Sequence, residues 1–458
     1  MSQDMRNSLS RRELLLRASQ LALVAAGAPV LAACSQLAPA EPTKASAGAE
    51  PTKVEVSPTK PADTEPVKLV MANWGPIPDG WVQLGELFEK ENPNIKVEFE
   101  GVQATVWGEY FDKLVTQFAA GTPPDLCRVA IEGTQLFASR GLAIPLDEYI
   151  ARDQEELEEY FADVHPNLVQ SMSYKGKQYQ LPFTWNGPVI HYNTKLFEEA
   201  GIERPKDDWT RDDFLQTCIA LTKDDVFGFG LANAYWGGAI PWLFVAGTDL
   251  LNDDWTESTA NDPKTVEAIE FLQDLIWKHK VSPEPAGFDF TQAFVGGRLG
   301  MVGTGGGGMR LTFINNGMTD FDILYFPKWR TQTHEYGGTG FPVSRSSKNP
   351  DAAWQLTKFL IRRESIALFV NAVAQTPARR SVAYEDWVKP GSPPEHYRLY
   401  YDMLDKPSKA VPSPPEYNEV ESIFLRHFSL VTANERTAKE AMDDAHKEIS
   451  ELLAARKQ

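Results

Sequence analysis

Residues 67–75 are Val67-Lys68-Leu69-Val70-Met71-Ala72-Asn73-Trp74-Gly75, an apolar strand that ends in an asparagine, a tryptophan and a glycine. A helical pattern follows and stops at Asn92-Pro93; its apolar residues recur at three- and four-residue spacing, namely Trp81, Leu84, Leu87 and Phe88. The alternation continues with a strand at 95–99, a helix marked by Tyr110, Leu114 and Phe118, and a strand at 125–129. This order predicts a doubly wound, mainly parallel sheet.

A second α/β region begins near residues 187–193. Further helices are predicted at Asp262-Pro263 and at Asn349-Pro350, because a capping side chain there precedes a proline in the first turn. The acidic run at 155–159 predicts a solvated helix face. The chain ends in an amphipathic helix whose apolar stripe is predicted to dock on the body, and this stripe consists of Ala438, Met442, Ala445, Ile449 and Leu452.

The N-terminal residues have the pattern of an export signal. Ser10-Arg11-Arg12 precedes an apolar segment that ends at Leu31-Ala32-Ala33-Cys34 and is too short and too rich in Ala and Gly for a membrane span. Cys34 resembles the lipidated cysteine of the bacterial lipobox, and the paired arginines resemble a twin-arginine signal. We therefore predict that residues 1–33 are removed and that Cys34 is lipidated; an ordinary cleaved signal with a coincidental cysteine is the alternative.

Residues 34–66 are predicted to form a disordered tether. They consist largely of Pro, Ala, Thr, Ser, Glu and Lys, without an aromatic residue, and Glu-Pro-Thr-Lys occurs at 41–44 and again at 50–53. Such a segment buries too little apolar surface to offset its ordering entropy. With a lipid on Cys34, it would hold the folded body on the outer face of the cytoplasmic membrane, at the cell surface or in the periplasm.

The size and charge of the remaining body limit its class. Roughly 390 residues exceed one compact core, so two domains are expected. The whole chain carries a net charge of −18, and a body this acidic argues against nucleic acid and anionic lipid as partners, although the charge also favours solubility alone. Cys127 and Cys218 lie far apart without metal-ligand spacing, so we predict two separate buried thiols rather than a disulfide.

Five phrases occur in an order that is typical of one family. They are FAAGTPPDL at 118–126, YKGKQYQLPF at 174–183 with YNTKLF at 192–197, AFVGGRLGM at 293–301, GGTGFPVS at 337–344 and QTPARRSV at 375–382. With a lipobox ahead of them, they make the chain from about Val67 onward resemble the extracellular solute-binding lipoproteins of bacterial ABC importers, family 1, the sugar-binding type. Three of the phrases resemble that family's crossings between lobes.

The resemblance implies an α/β fold of the two-lobe, type II periplasmic-binding-protein kind, hinged by about three crossover strands. Lobe one is expected to comprise residues 67–183 and 340–378, and lobe two residues 184–339 and 379–458. A hinge of this kind lets the lobes close over a ligand and bury most of it.

Sugars offer hydroxyl groups and apolar C–H faces, so a sugar cleft needs aromatic rings beside fixed polar groups. Trp81, Trp277 and Trp354 lie in helical patterns and are predicted to be core. Ligands sit at the carboxyl ends of parallel strands, so the candidate binding residues lie where strands meet loops or in glycine-rich segments. They are Asn73, Trp74, Asp125, Glu132, Trp185, Asn186, Trp236, Trp242, Gly305, Gly306 and, from the family resemblance, Arg379. A structural role in its turn is the alternative for Asp125, and a salt bridge across the hinge is the alternative for Arg379.

The glycine run at 303–308 matches the G-x-G-x-x-G pattern of dinucleotide sites, but it lies deep in the chain rather than in an opening strand–turn–helix unit. We interpret Gly305 and Gly306 instead as positions of close backbone approach to a ligand or to the facing lobe, with a flexible loop as the alternative. The sequence contains no H-E-x-x-H, G-x-S-x-G or Walker motif, and its seven histidines show no ligand spacing. We therefore predict no catalytic residues, no metal and no cofactor.

The expected function is capture of a carbohydrate, above all an oligosaccharide, by a monomeric receptor that presents it to an ABC permease. A lipid-anchored glycoside-active enzyme is one alternative, because the carboxylates are too many to exclude a catalytic pair. The other alternative keeps the fold and changes the ligand to a polyamine, a peptide, a phosphodiester or a metal. A polyamine site would need carboxylates clustered in the cleft.

Overall fold

The computed structural model describes residues 65–303, 305–373, 375–388 and 390–456. The predicted export signal, Cys34 and nearly all of the predicted tether lie outside these residues. Among the helices that are described, none combines the length and the apolar character that crossing a membrane requires.

The strands are numbered along the chain. They are β1 (Val67–Trp74), β2 (Ile95–Val102), β3 (Leu126–Cys127), β4 (Val129–Ala130), β5 (Ser173–Tyr174), β6 (Lys177–Gln178), β7 (Thr184–Asn186), β8 (Ile190–Asn193), β9 (Phe227–Gly230), β10 (Leu299–Val302), β11 (Phe321–Leu324), β12 (His334–Gly340), β13 (Thr376–Pro377) and β14 (Ser408–Ala410).

The α-helices are numbered in the same way. They are α1 (Asp79–Glu91), α2 (Trp107–Ala119), α3 (Ile131–Ser139), α4 (Asp147–Arg152), α5 (Gln154–Asp163), α6 (Pro166–Ser171), α7 (Thr194–Glu199), α8 (Arg211–Leu221), α9 (Ile240–Val245), α10 (Pro263–Trp277), α11 (Phe290–Val295), α12 (Gly307–Asn315), α13 (Pro350–Leu360), α14 (Arg363–Ala372), α15 (Arg380–Glu385), α16 (Leu399–Asp402), α17 (Tyr417–Thr432) and α18 (Ala438–Ala455). A π-helical turn covers Tyr235–Ala239, and a 3-10 turn covers Met403–Asp405.

The opening strands form the predicted parallel sheet. Its order is β2-β1-β3, and β1 runs parallel to both neighbours. Helix α1 buries Trp81, Leu84 and Phe88, as the spacing predicts, whereas Leu87 is 42% exposed. The spacing correctly predicts the helix, and Leu87 lies on the solvent edge of its apolar stripe.

A second sheet has the order β11-β8-β10-β9. It is mixed rather than parallel, since β8 runs antiparallel to β10 and β11 while β9 and β10 are parallel. The neighbouring core is aromatic: Trp242 has its ring centroid 4.9 Å from that of Phe214 and 5.3 Å from that of Phe326. This region begins at β8, where the sequence places a second α/β unit.

A third sheet joins five strands that are distant in sequence. Its order is β13-β7-β12-β14, with β4 also paired to β12. Trp185 of β7 lies opposite Gly338 of β12 on one side and opposite Thr376 of β13 on the other, and both pairings are antiparallel. Strands from all three predicted crossover regions therefore lie side by side.

Several local predictions are confirmed. Cys127 and Cys218 are free and buried, and burial raises the pKa of both thiols. Asp262 caps α10 by accepting a hydrogen bond from the Lys264 backbone N–H at 2.8 Å. Helix α18 buries all but the last residue of its predicted stripe and places Leu453 in the core beside a half-buried Leu452.

Of the three tryptophans that lie in helical patterns, two are buried and one is partly exposed. Trp81 and Trp354 are fully buried, as predicted. Trp277 is 38% exposed, so its assignment to the core is wrong. It lies at the last residue of α10, where its indole N–H donates to the Thr432 carbonyl at 3.0 Å and the rest of the ring is left partly open to solvent.

Candidate functional site

A cavity of about 350 Å³ lies where the ends of β1 and β4 face β7, β12 and α17. Its lining is largely aromatic. Trp74, Trp107 and Trp236 line it as half-buried rings, while Tyr235 and Tyr417 line it with buried rings. A volume of this size accommodates a small organic molecule.

Two of the indoles form one continuous wall. The Trp74 N–H donates to the Ala104 carbonyl at 2.7 Å, which fixes the ring. The ring centroids of Trp74 and Trp107 are 4.5 Å apart, and their planes meet at 54°. Both rings follow a strand of the parallel sheet, so the strand ends present a fixed apolar surface to the cavity.

The third indole lies beside a glycine of β12. A Cβ on Gly337 would lie 3.1 Å from Trp236 Nε1 and 3.9 Å from Glu132 Oε1. The Trp236 N–H is buried and has no hydrogen-bond partner among the described residues. A buried donor without a partner is costly, so this N–H is available to an acceptor on a ligand.

One buried arginine borders the cavity. Arg128 donates from Nε to Thr339 Oγ1 at 3.1 Å and from Nη2 to Thr184 Oγ1 at 3.2 Å and Gln375 Oε1 at 3.0 Å. Burial lowers the pKa of the guanidinium to about 10, so it stays charged at neutral pH. These bonds connect the end of β3 to all three crossing strands or their flanks.

Carboxyl groups also line the cavity. Burial raises the pKa of Glu132 to about 8, and the negative charge of Glu421 adds to that rise. Burial also raises the pKa of Glu421, although its Oε1 accepts a hydrogen bond from the Tyr417 hydroxyl at 2.9 Å. Glu132 Oε2 is buried without a partner among the described residues. The cavity thus combines indole faces with a donor, the Trp236 N–H, and an acceptor, Glu132 Oε2, that have no partner among the described residues.

The raised pKa of Glu132 predicts a pH-dependent stability. The ordinary pKa of this carboxyl is 4.5. Protonated Glu132 therefore makes its full contribution to the free energy of unfolding below that pH, and the contribution is lost as the pH rises toward about 8. We expect Glu132→Gln to flatten this decline in the free energy of unfolding between pH 5 and 8, measured by urea unfolding at several pH values (roughly one-unit steps). Glu158→Gln, on the exposed face of α5, is the matched control and should keep the wild-type slope. An unchanged slope in Glu132→Gln would contradict the assignment.

The structure brings five of the candidate residues to the cavity. Trp74, Glu132, Trp185, Asn186 and Trp236 all line it. Trp185 is only 2% exposed, and its ring meets that of Tyr401 edge-on at 5.7 Å, so it supports the cavity floor more than it offers a face.

Two charged candidates serve structure elsewhere. Asp125 accepts a hydrogen bond from the Val70 backbone N–H at 2.9 Å and another from the Ser347 hydroxyl, which ties the turn before β3 to β1. Arg379 is buried and forms ion pairs at 2.6 Å with Glu159 and with Asp163 of α5. Asp125 thus has a structural role in its turn, and Arg379 forms salt bridges with α5.

The other four candidates also lie in packed surroundings. Trp242 is fully buried in the aromatic core, and Asn73 is buried in β1. A Cβ on Gly306 would lie 2.1 Å from Asn186 Oδ1 and 2.3 Å from the Gly187 carbonyl, while Gly305 has a φ of +62°. Close approach of other atoms therefore requires a glycine at Gly306, but these atoms belong to the end of β7 and the residue after it, in the same predicted lobe, rather than to a ligand or to the facing lobe.

Sequence reasoning missed several cavity residues. Trp107 and Arg128 follow β2 and β3, so the rule that selected Trp74 could have found them. Tyr417 and Glu421 lie on α17, where the local pattern is that of an ordinary amphipathic helix. No local signal separates these two from other residues of that helix.

Donor atoms for a cation meet at one other place in the described chain. Carboxylate or imidazole atoms of Asp322, Glu395 and His396 lie within 4.8 Å of one another. Asp322 already accepts hydrogen bonds from the His396 backbone N–H at 3.0 Å and from the Tyr192 hydroxyl at 3.3 Å. These bonds give the group a structural role without an ion.

Comparison with known proteins gives the context of this cavity. The chain is 28% identical over 352 residues to a putative binding protein of Brucella abortus (strain 2308), covering 71% of this chain and 79% of that protein. It is 28% identical over 287 residues to the maltotriose-binding protein of Pyrococcus abyssi, covering 60% and 58%. Its structure resembles that of an ABC substrate-binding protein of Listeria monocytogenes in complex with cycloalternan, with a TM-score of 0.76 and 23% identity, over 85% of this chain and 99% of that one.

The structural likeness shows the two-lobe fold of solute-binding proteins, as the sequence predicts. The model of the family described as bacterial extracellular solute-binding protein matches residues 74–367, which is more than half of the chain and includes most of the cavity lining. This chain belongs to the bacterial extracellular solute-binding protein family.

Proposed function

We propose that this protein captures a carbohydrate, preferably an oligosaccharide, between its two lobes and delivers it to an ABC permease. The observation that carries the proposal is the set of half-buried indoles Trp74, Trp107 and Trp236 around one cavity. Indole faces cover the apolar C–H faces of a sugar ring, and the polar atoms of Asn186 and Glu132 can meet its hydroxyl groups. The relative named for binding maltotriose and the structure containing cycloalternan support the same ligand class.

The proposed mechanism is a population shift. Residues 67–183 with 340–378 would form one lobe, and 184–339 with 379–458 the other, so that β7, β12 and β13 lie at their junction. A ligand that contacts Trp74 on one side and Trp236 on the other favours the closed arrangement by its differential affinity. The permease would then recognise the closed form.

The surroundings of the receptor are proposed as follows. Family membership places the body outside the cytoplasm. A lipid on Cys34, followed by the tether at 34–66, would hold it as a monomer at the outer face of the cytoplasmic membrane, within reach of the permease. The bound sugar is proposed to leave chemically unchanged, as the family of binding proteins implies.

Ligand binding should stabilise the folded protein by mass action. At a sugar concentration a hundredfold above Kd, the gain is about 2.7 kcal/mol, so we expect the melting temperature to rise by a few degrees. A thermal-shift screen over malto-, cello- and chito-oligosaccharides measures this rise. Chromatography of the sugar recovered after incubation supplies the control for catalysis, and the sugar should return intact.

Two results would overturn the proposal. The absence of a shift with every carbohydrate would refute the ligand class, and release of shorter sugars would favour a glycoside-active enzyme instead.

A further inference from the structure

Three carboxyl groups from separate elements interact at the cavity, of which two line it and the third is buried close to one of them. Glu132 lies on α3 and Glu421 on α17, and both line the cavity. Glu335 lies on β12, buried two residues before Gly337, where its Oε2 accepts a hydrogen bond from the Gly237 backbone N–H at 2.9 Å. The negative charge of Glu132 raises the pKa of Glu335, after the larger effect of burial.

The protein supplies little positive charge to this cluster. Glu132 Oε2 and Glu335 Oε1 are buried without hydrogen-bond partners among the described residues. The charges that raise the pKa values of these carboxyls are acidic: Glu421 acts on Glu132, and Glu132 and Asp249 act on Glu335. The guanidinium of Arg128 is bonded instead to neutral side chains of the crossing strands.

The glycine of β12 leaves room at this cluster. The position that a Cβ would occupy on Gly337 lies within 4 Å of both Glu132 Oε1 and Trp236 Nε1. A group of the ligand that reaches this space meets a carboxylate and the edge of an indole together. A hydroxyl group there can pair with Glu132 but gives its ionised form no counter-charge, whereas an ammonium group donates up to three hydrogen bonds and stabilises the ionised form.

We propose that the carbohydrate bound in this cavity carries a basic amino group, which binds as an ammonium ion against Glu132 and Glu421 beside Gly337. This inference rests on the proposed function, and it narrows the ligand from sugars in general to amino sugars. The rings of Trp74 and Trp107 pack against the sugar ring, and the carboxyl groups favour a ligand that carries a positive charge.

Binding of an ammonium ion also has a proton linkage. The groups that face Glu132 are Glu421 and Tyr417 of α17, Tyr235 of the π-helical turn and Glu335 of β12, and none of them brings a positive charge. The cation favours the ionised form of Glu132, so binding near pH 7 releases protons. Affinity for the amino sugar therefore rises with pH until the amine itself loses its proton.

The test compares sugars that share one backbone. The full chain is titrated calorimetrically with chitotriose that has free amino groups and with its fully N-acetylated form, in two buffers of different ionisation enthalpy. Maltotriose and spermidine are titrated in parallel. We expect the free-amine sugar to bind at least tenfold more tightly than the acetylated one, with proton release.

Variants assign the preference to the cluster. Glu132→Gln should reduce the affinity ratio of the two chito-sugars to about one, and Glu158→Gln on the exposed face of α5 should keep it. Gly337→Ala, which fills the space beside Glu132, provides a second variant and should also remove the preference. The ratio is measured within each variant, so a loss of stability alone does not imitate the result.

Each contrary outcome has a distinct meaning. Equal or tighter binding of acetylated chitotriose or maltotriose would overturn the amino-sugar inference and leave the proposed carbohydrate function intact. Binding of spermidine without any sugar would overturn both, in favour of a polyamine receptor. Binding of none of the four ligands would count against the proposed function itself.

Discussion

Trp74→Ala and Trp236→Ala should each weaken carbohydrate binding about 30-fold, which corresponds to about 2 kcal/mol for the loss of one buried aromatic surface. The two rings lie on different elements, β1 and the π-helical turn, and they contact different neighbours. The double variant should therefore lose affinity roughly a thousandfold if the effects add. Isothermal titration with the best sugar of the screen measures all three variants.

The chain offers a matched control for this experiment. Trp277→Ala removes an indole of the same size from the exposed end of α10 and should leave the affinity unchanged. If Trp74→Ala and Trp236→Ala both bound the sugar as the unmodified chain does, the cavity would not be the binding site. The two-lobe fold would stand in that case, because it rests on the structural likeness and not on these rings.

Arg379→Met should lower the free energy of unfolding by about 3 kcal/mol without changing sugar affinity. Arg379 is buried and pairs with Asp163, which is itself largely buried, so the variant leaves a carboxylate without its main cation. The backbone bridge between Arg379 and Val164 places this ion pair where the segment after β13 meets α5. Urea unfolding measures the loss of stability, and titration at a temperature well below the transition measures affinity.

The neighbouring arginine supplies the control. Arg380 also pairs with a carboxylate, Asp405, but both side chains are largely exposed. Such a pair contributes about 1 kcal/mol or less, so Arg380→Met should cost far less stability than Arg379→Met. A large loss of affinity in Arg379→Met with little loss of stability would instead support the ligand contact that the family resemblance implies.

The opening βαβαβ unit shows which structural features the local sequence pattern is sufficient to predict. Apolar periodicity and turn residues predict β1, α1, β2 and α2 because each element satisfies its own backbone and buries one face. The same logic predicts that Trp74 meets a ligand, since the ends of parallel strands share one edge of the sheet. It fails at Trp277, because a residue at the end of a helix can face either the core or solvent.

The buried candidates show where sequence alone stops. Trp242, Arg379 and Asp125 have the residue types of a binding site, yet each meets partners from another part of the chain and is satisfied there. A side chain's role depends on which distant groups surround it, and a single sequence carries no direct record of those groups. Arg128 is the converse case, because it was not a candidate and yet borders the cavity. Its three neutral partners come from β7, β12 and the start of the β13 segment.

By itself, the sequence determined the local elements, the family and one strand end that faces the cavity, because these depend on residues close together in the chain. Tertiary structure alone decided that α17, more than 300 residues beyond Trp74, packs beside α2 and supplies Tyr417 and Glu421 to the cavity. It also decided that Glu132 and Glu421 line one cavity and that the charge of Glu132 acts on the buried Glu335. The physical reason is that burial and mutual charge arise only when distant segments pack together, and these two quantities set the chemistry of the cavity.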